Sequence, residues 1–309
     1  MGHFIPAIET VLPLFLVIFA GALFSRTKAC SGHWVDILNK YALYIGFPAL
    51  IISSLMQLEI EKHAFSNLIL LNSANILVCT LLAFPIARIF RLRESVKRSL
   101  FLILPFTNNA YLGMPILQNA YGEEILPVAA VISSVYLFWM FTLTIILLES
   151  SGENKTHPKK LIVNLLQNPM LVSVIIGFLI VVFQVKMPVY IGKTLHLFAG
   201  SVTAVVLFSI GIFMGMHKIG NITKWSRVAA IALFTMLILP VVFYMAIRSA
   251  NISAEQLKAT IIDAAMPLGL TPYALSVQYN LETTLIARIV VFGTIISVIT
   301  IPLWMIWVG

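Results

Sequence analysis

The chain has 309 residues, 60% of them hydrophobic and only 10% charged, with a formal net charge of +8 and a mean hydropathy of +0.99. A soluble domain carries about 25% charged residues, so this composition excludes a soluble enzyme, a disordered regulator and a nucleic-acid-binding module. The two cysteines, Cys30 and Cys79, are too few and too far apart for a disulfide framework or a metal cluster.

A bilayer-crossing helix needs about 20 mostly apolar residues. Ten windows of that kind occur, near 4–24, 36–56, 66–90, 97–119, 125–148, 163–183, 192–215, 227–248, 256–279 and 285–308. The chain is therefore expected to be an all-α polytopic membrane protein of ten spans. Span 1 carries Glu9 near its outer end and is expected to be a membrane span rather than a cleaved signal peptide, because no basic stretch stands before it here. Span 2 begins near Lys40, whose long side chain reaches the interface, and holds Pro48 and Ser53. Span 3 holds Asn72 and Asn75, and span 5 holds Ser133. Together with Gln278 of span 9, these polar residues are candidates to line a cavity, although small polar residues also serve as packing groups between membrane helices.

The Lys and Arg residues of the loops set orientation, because cytoplasmic loops retain positive charge. Alternate loops hold Arg26, Lys28, Arg88, Arg91, Arg93, Lys97, Arg98, Lys155, Lys159, Lys160, Lys218, Lys224, Arg227 and Arg288, fourteen residues, and the opposite set holds only Lys62, Lys186, Lys193, Arg248 and Lys258. This bias puts both termini outside the cytoplasm. The polar linker ESSGENKTHPKKL (149–161) divides the spans five and five. An odd number makes the second half (162–309) enter the membrane inverted relative to the first (1–148), a common transporter construction. The fourth span of each half supports the repeat. GMPILQNAYGEE (113–124) and LTPYALSVQYNLE (270–282) each place a proline inside the span, a tyrosine six or seven residues later, and then a glutamate.

Those two spans also carry the functional signal. Span 4 holds Pro105 and Pro115 around Thr107, Asn108, Asn109 and Gly113; span 9 holds Pro267 and Pro272 around Gly269 and Thr271. Proline removes a backbone donor and clashes with the preceding turn, so both intervals are expected to unwind. Unwound backbone at membrane depth survives only inside protein or against a wet cavity. If the two breaks cross, two half-helix N-termini with free N–H groups face one cavity and favour an anion. Thr107, Asn108, Asn109, Gly113, Pro115, Gly269, Thr271 and Pro272 are therefore the candidate substrate-binding residues. Asp263 lies one turn before Pro267. A carboxyl inside a span is a functional candidate by default, here for coupling or gating. The isolated Pro13, Pro48, Pro85, Pro240 and Pro302 read as kinks.

PFTNNAYLGMPILQNAYGEE, AAMPLGLTPYALSVQYNLE and, more weakly, NKYALYIGFPALIISSLM (39–56) resemble the auxin efflux carrier family, within the bile acid/arsenite transporter-like superfamily. The resemblance covers the whole chain. It implies an elevator-type carrier in which spans 1, 2, 6 and 7 form a scaffold that dimerises. Spans 3–5 and 8–10 would then form a moving transport domain, with a small organic anion bound where spans 4 and 9 cross at Pro115 and Pro272. The linker of about 13 residues and the uncharged stretch LNSANI (71–76) depart from the plant exporters of that family and fit a bacterial member, placed in an inner membrane.

No H-E-x-x-H pair, G-x-S-x-G elbow or Walker loop is present. The chain is thus read as a non-enzyme without cofactor or metal, driven by membrane potential or a proton or sodium gradient. The alternatives are a sodium-coupled symporter of the bile-acid type and a ligand-sensing membrane protein that does not transport.

Overall fold

A computed structural model describes residues 4–56, 65–144, 169–217 and 225–309, with Leu147, Val163 and Gln167 besides. The linker at 149–161, Lys62, Lys218, Lys224 and the side chain of Gln278 lie outside the described residues.

All regular structure among the described residues is helical. It comprises α1 (Phe4–Phe24), α2 (His33–Tyr41), α3 (Phe47–Leu55), α4 (Phe65–Ile89), α5 (Glu94–Ile103), α6 (Met114–Tyr121) and α7 (Leu126–Thr144). The second half contributes α8 (Pro169–Val182), α9 (Val189–Met216), α10 (Trp225–Leu233), α11 (Leu239–Ile247), α12 (Ala254–Ala264), α13 (Leu270–Gln278) and α14 (Thr283–Val308). Among the described residues, seven stretches are long and apolar enough to cross a membrane: Ala7–Phe24, His33–Leu55, Phe65–Ile89, Glu123–Met140, Val189–Met216, Trp225–Ile247 and Thr283–Val308. Expected span 6 is described as the shorter apolar helix Pro169–Val182. Expected spans 4 and 9 are each split, into α5 and α6 and into α12 and α13. Large apolar side chains such as Leu16, Phe19, Leu70, Leu81, Phe183 and Leu197 point outward, as a bilayer requires.

Three widened π-type turns, Ala42–Gly46, Asn109–Gly113 and Phe234–Ile238, each run into a helix whose second residue is proline: Pro48, Pro115 and Pro240. The physical reason is shared. A proline ring collides with the carbonyl four residues back and cannot bond to it, and a wider turn relieves the collision. Pro48 and Pro240, expected as simple kinks, thus sit just past such turns. At Pro240 the carbonyl four residues back is that of Met236, and the indole Nε1–H of Trp304 donates to it at 2.9 Å. Trp304→Phe is expected to remove that buried hydrogen bond and to destabilise the protein by about 1 kcal/mol, read as a lowered Tm in detergent. A Tm equal to that of the parent would refute the assignment.

Packing divides the helices into two groups. In one, α9 lies along α1 and against α2 and α3, and α3 also packs on α8. Tyr41 Oη and Ser201 Oγ share a hydrogen bond of 2.7 Å, and Ser209 Oγ donates to Asn39 Oδ1 at 2.8 Å. In the other group α4 packs on α5 and α7, and α14 on α10, α12 and α13. The groups meet where α1 touches α6 and α14, and where α7 touches α3 and α8. The basic α4–α5 turn shares one end of the bundle with the α13–α14 turn: Ser95 Oγ donates to Glu282 Oε1 at 2.6 Å, and the Glu282 N–H donates to Ser99 Oγ at 3.0 Å. At the other end, Asn67 Nδ2 donates to the Asn251 carbonyl at 2.9 Å.

Candidate functional site

The site is built by two helices that fail midway. After α5 the backbone is irregular from 104 to 108, and after α12 from 265 to 269. α12 itself begins on a reciprocal cap, in which the Ser253 hydroxyl accepts from the Gln256 N–H and the Gln256 side chain accepts from the Ser253 N–H. Its termination follows from Pro267, which pushes the residue before it out of the helical region. The two breaks touch: the Asn108 N–H donates to the Pro267 carbonyl at 2.7 Å. Backbone groups that each helix left unpaired are thereby satisfied by the other. Gly269, the N-cap of α13, lies so close that a Cβ there would stand 3.3 Å from Asn108 Cα.

A cavity of about 90 Å³ opens at this crossing, lined by Thr107, Asn108, Asn109, Gly269, Thr271 and Pro272 from the broken helices. Its far wall includes Leu43 from the turn between α2 and α3 and Met170 from α8, so both packing groups contribute. Nδ2 of Asn108, Nδ2 of Asn109 and Oγ1 of Thr107 are buried without a hydrogen-bond partner among the described residues. Buried polar groups are normally paired, so these unpaired groups at a cavity wall point to a polar ligand. Six of the eight expected binding residues line the cavity. Gly113 and Pro115 are buried one turn further along.

Asp263 does not line the cavity. It is 0% exposed and stands behind the crossing, its Oδ1 pressed against Gly113, where an added Cβ would collide with it. Neither carboxyl oxygen has a partner among the described residues. Asn72, Asn75 and Ser133 are not among the residues that line the cavity either. Asn72 donates to Thr260 Oγ1 at 3.3 Å, one turn before Asp263, while its own Oδ1 is unpaired. Asn75 Oδ1 accepts from the Cys79 thiol at 3.7 Å; Tyr136 is buried at the cavity wall, and Ser133, a turn before it, has an unpaired hydroxyl. Ser53 donates to the Leu50 carbonyl of its own helix at 3.1 Å.

A second cavity, about 240 Å³, is lined by His217, Tyr273, Thr283, Thr284 and Arg288 among others. His217 ends α9. Its Nδ1 lies 2.8 Å from the Phe213 carbonyl, and its Nε2 lies 3.2 Å from the Tyr273 hydroxyl. A carbonyl only accepts, so Nδ1 carries the proton, and in the neutral ring the Tyr273 O–H donates to Nε2. Tyr273 follows Pro272, so α13 borders both cavities. The sequence offers Arg288 only as one of the loop cations and gives no sign of His217 and Tyr273, which lie 56 positions apart with no local motif to join them.

A family model described as membrane transport protein matches residues 6–305. The chain is 25% identical over 305 residues to an uncharacterized transporter of Methanocaldococcus jannaschii, covering 95% of each chain. It is 22% identical over 305 residues to an uncharacterized transporter of Escherichia coli, covering 96% of each. It is also 26% identical over 127 residues to auxin efflux carrier component 1 of Arabidopsis thaliana, covering 41% of this chain and 20% of that one.

Proposed function

The chain belongs to the membrane transport protein family, that of the auxin efflux carriers, and from that premise we propose a secondary carrier that exports a small organic anion through the crossing of its two interrupted helices. The observation that carries this reading is the Asn108–Pro267 backbone bond with a cavity at it whose walls hold unpaired amide groups. The N-termini of α6 and α13 add their positive dipole ends. Asn108 and Asn109 hold the carboxylate, and the apolar wall of Leu43 and Met170 takes the rest of the substrate.

Movement follows an elevator scheme, with α1, α2, α3, α8 and α9 as scaffold and the remaining helices moving. The packing supports it, because exchanging the two halves maps the α1–α9 contact onto the α8–α3 contact. The inverted repeat draws further support from the half-helix ends, where Tyr121 and Tyr279 are each followed by a left-handed residue, Gly122 (φ 84°) and Asn280 (φ 50°). Dimerisation through the scaffold is consistent with the outward apolar residues Trp34, Ile37 and Tyr44 of span 2. The basic loops face the cytoplasm, and the cavity at His217 and Arg288 is the approach from that side.

Asp263 couples the cycle, since a buried, unpaired carboxylate is costly until a proton or cation neutralises it. Sodium is a second reading, favoured by the two unpaired carboxyl oxygens of Asp263 and by the buried, unpaired oxygens of Asn72 and Ser133. Proteoliposome flux with sodium replaced by choline separates the two ions.

Counterflow of small carboxylates in proteoliposomes tests the site. Asn109→Ala is expected to lower flux about tenfold or more, the loss of one hydrogen bond to a charged group. Equal flux in Asn108→Ala, Asn109→Ala and parent protein would sink the assignment.

A further inference from the structure

Away from the crossing, two cavities adjoin at the basic end of the bundle. One is an apolar groove of about 510 Å³ between the end of α4, α5 and α10, walled by residues such as Phe90, Leu100 and Phe234. The other is a polar hollow of about 360 Å³ lined by Arg227, Arg288, Thr284 and Glu282. Both are lined by Val96 and Arg227, so the groove and the hollow are neighbours that share a wall. Phe90, at the groove rim, is 69% exposed. The groove therefore opens toward the bilayer rather than into the protein.

The charges in the hollow favour a negative headgroup. Neither Arg227 nor Arg288 makes an ion pair among the described residues. Glu282, the one acid among the described residues that line the hollow, accepts a 2.6 Å hydrogen bond from Ser95 Oγ. Arg88, Arg91 and Arg93 flank the same turn and add positive potential. Two guanidiniums against one engaged carboxylate leave a net positive hollow at the mouth of an acyl-sized apolar groove.

We propose that this paired groove and hollow is a binding site for one anionic glycerophospholipid of the leaflet that meets the basic loops, with an acyl chain along Phe90, Leu100 and Phe234 and the phosphate at Arg227 and Arg288. Charge complementarity and the two-part shape select it over a zwitterionic lipid. A basic residue near a membrane surface contributes about 1 kcal/mol toward an anionic lipid, so each guanidinium is worth about fivefold in preference.

The test is lipid binding to the purified full chain by native mass spectrometry and thermal shift, comparing phosphatidylglycerol with phosphatidylcholine of the same chains. Glycerol phosphate serves as the headgroup alone. The parent protein is expected to prefer phosphatidylglycerol, Arg227→Ala to reduce that preference about fivefold, and Ala230→Trp, which fills the groove, to lose the stabilisation. Equal binding of the two lipids, or a preference untouched by Arg227→Ala, overturns the site. So does a full thermal shift from glycerol phosphate alone, which would assign the hollow to a free phosphate compound.

Discussion

A Gly113→Ala protein is expected to reach the membrane folded and yet to lose about tenfold or more of its flux. The added methyl group would collide with Asp263 Oδ1 and stand 3.4 Å from Asp263 Cγ and 3.5 Å from Met266 Cγ. Asp263 has no exposed surface into which to swing, and the Asn108–Pro267 bond holds the two breaks together. Something must shift, and overpacking of this size costs about 1–3 kcal/mol. Because the displaced group is the proposed coupling carboxyl, a rearrangement worth about 1.4 kcal/mol in the limiting step already gives a tenfold loss. A double-mutant cycle separates strain from chemistry. In an Asp263→Ala background the obstacle is gone, so the stability penalty of Gly113→Ala should shrink by about 1 kcal/mol or more, while flux stays low. Asp263→Ala alone should not lower Tm, since it removes an unpaired buried carboxyl. Additive stabilities would contradict the Gly113–Asp263 contact, and full flux in Asp263→Ala would contradict the coupling role.

The expected spans and the described helices agree most closely where a helix is uninterrupted. Span 3, expected at 66–90, is Phe65–Ile89, and span 7, expected at 192–215, is Val189–Met216. Span 2 starts earlier than its apolar window because α2 opens with the mixed sequence HWVDILNKY, none of whose residues is buried. The proline pairs announced both breaks, and the Thr-Asn-Asn run between Pro105 and Pro115 announced the polar cavity wall. Which side of the crossing each residue faces was not legible. Helical periodicity relates Asp263 to its own helix α12, but the irregular backbone at 265–269 erases its register with α13. Asp263 therefore lies behind the crossing, against Gly113. The π-type turns were equally hidden, since a proline implies a local disturbance without saying whether the helix kinks or widens. His217 and Tyr273 meet only through the fold.

Gly211→Ala tests the other half of the architecture and should be the most destabilising alanine substitution discussed. A Cβ at Gly211 would collide with the Ile18 carbonyl oxygen of α1, lie 2.8 Å from its carbon and 2.9 Å from the Ala22 nitrogen. Gly21 mirrors it from the other side, where a Cβ would collide with the Phe208 carbonyl oxygen and lie 3.1 Å from Gly211 Cα. The obstacle here is backbone, which cannot rotate away as a side chain can. Small residues let membrane helices approach backbone to backbone, and a methyl group forces α1 and α9 apart along their contact. The expected cost is at the upper end of overpacking, about 3 kcal/mol. Gly200 on the same helix supplies the control, because a Cβ there meets nothing within 4 Å. Gly200→Ala should be neutral or stabilise by up to about 1 kcal/mol through helix propensity. The same substitution on one helix thus takes opposite signs, measured as Tm in detergent. If the helix pair belongs to a scaffold, Gly211→Ala should lower flux only with the folded fraction. Gly113→Ala, by contrast, should lower it per folded molecule. Equal Tm values for the Gly211 and Gly200 variants would show that α1 and α9 are not in backbone contact.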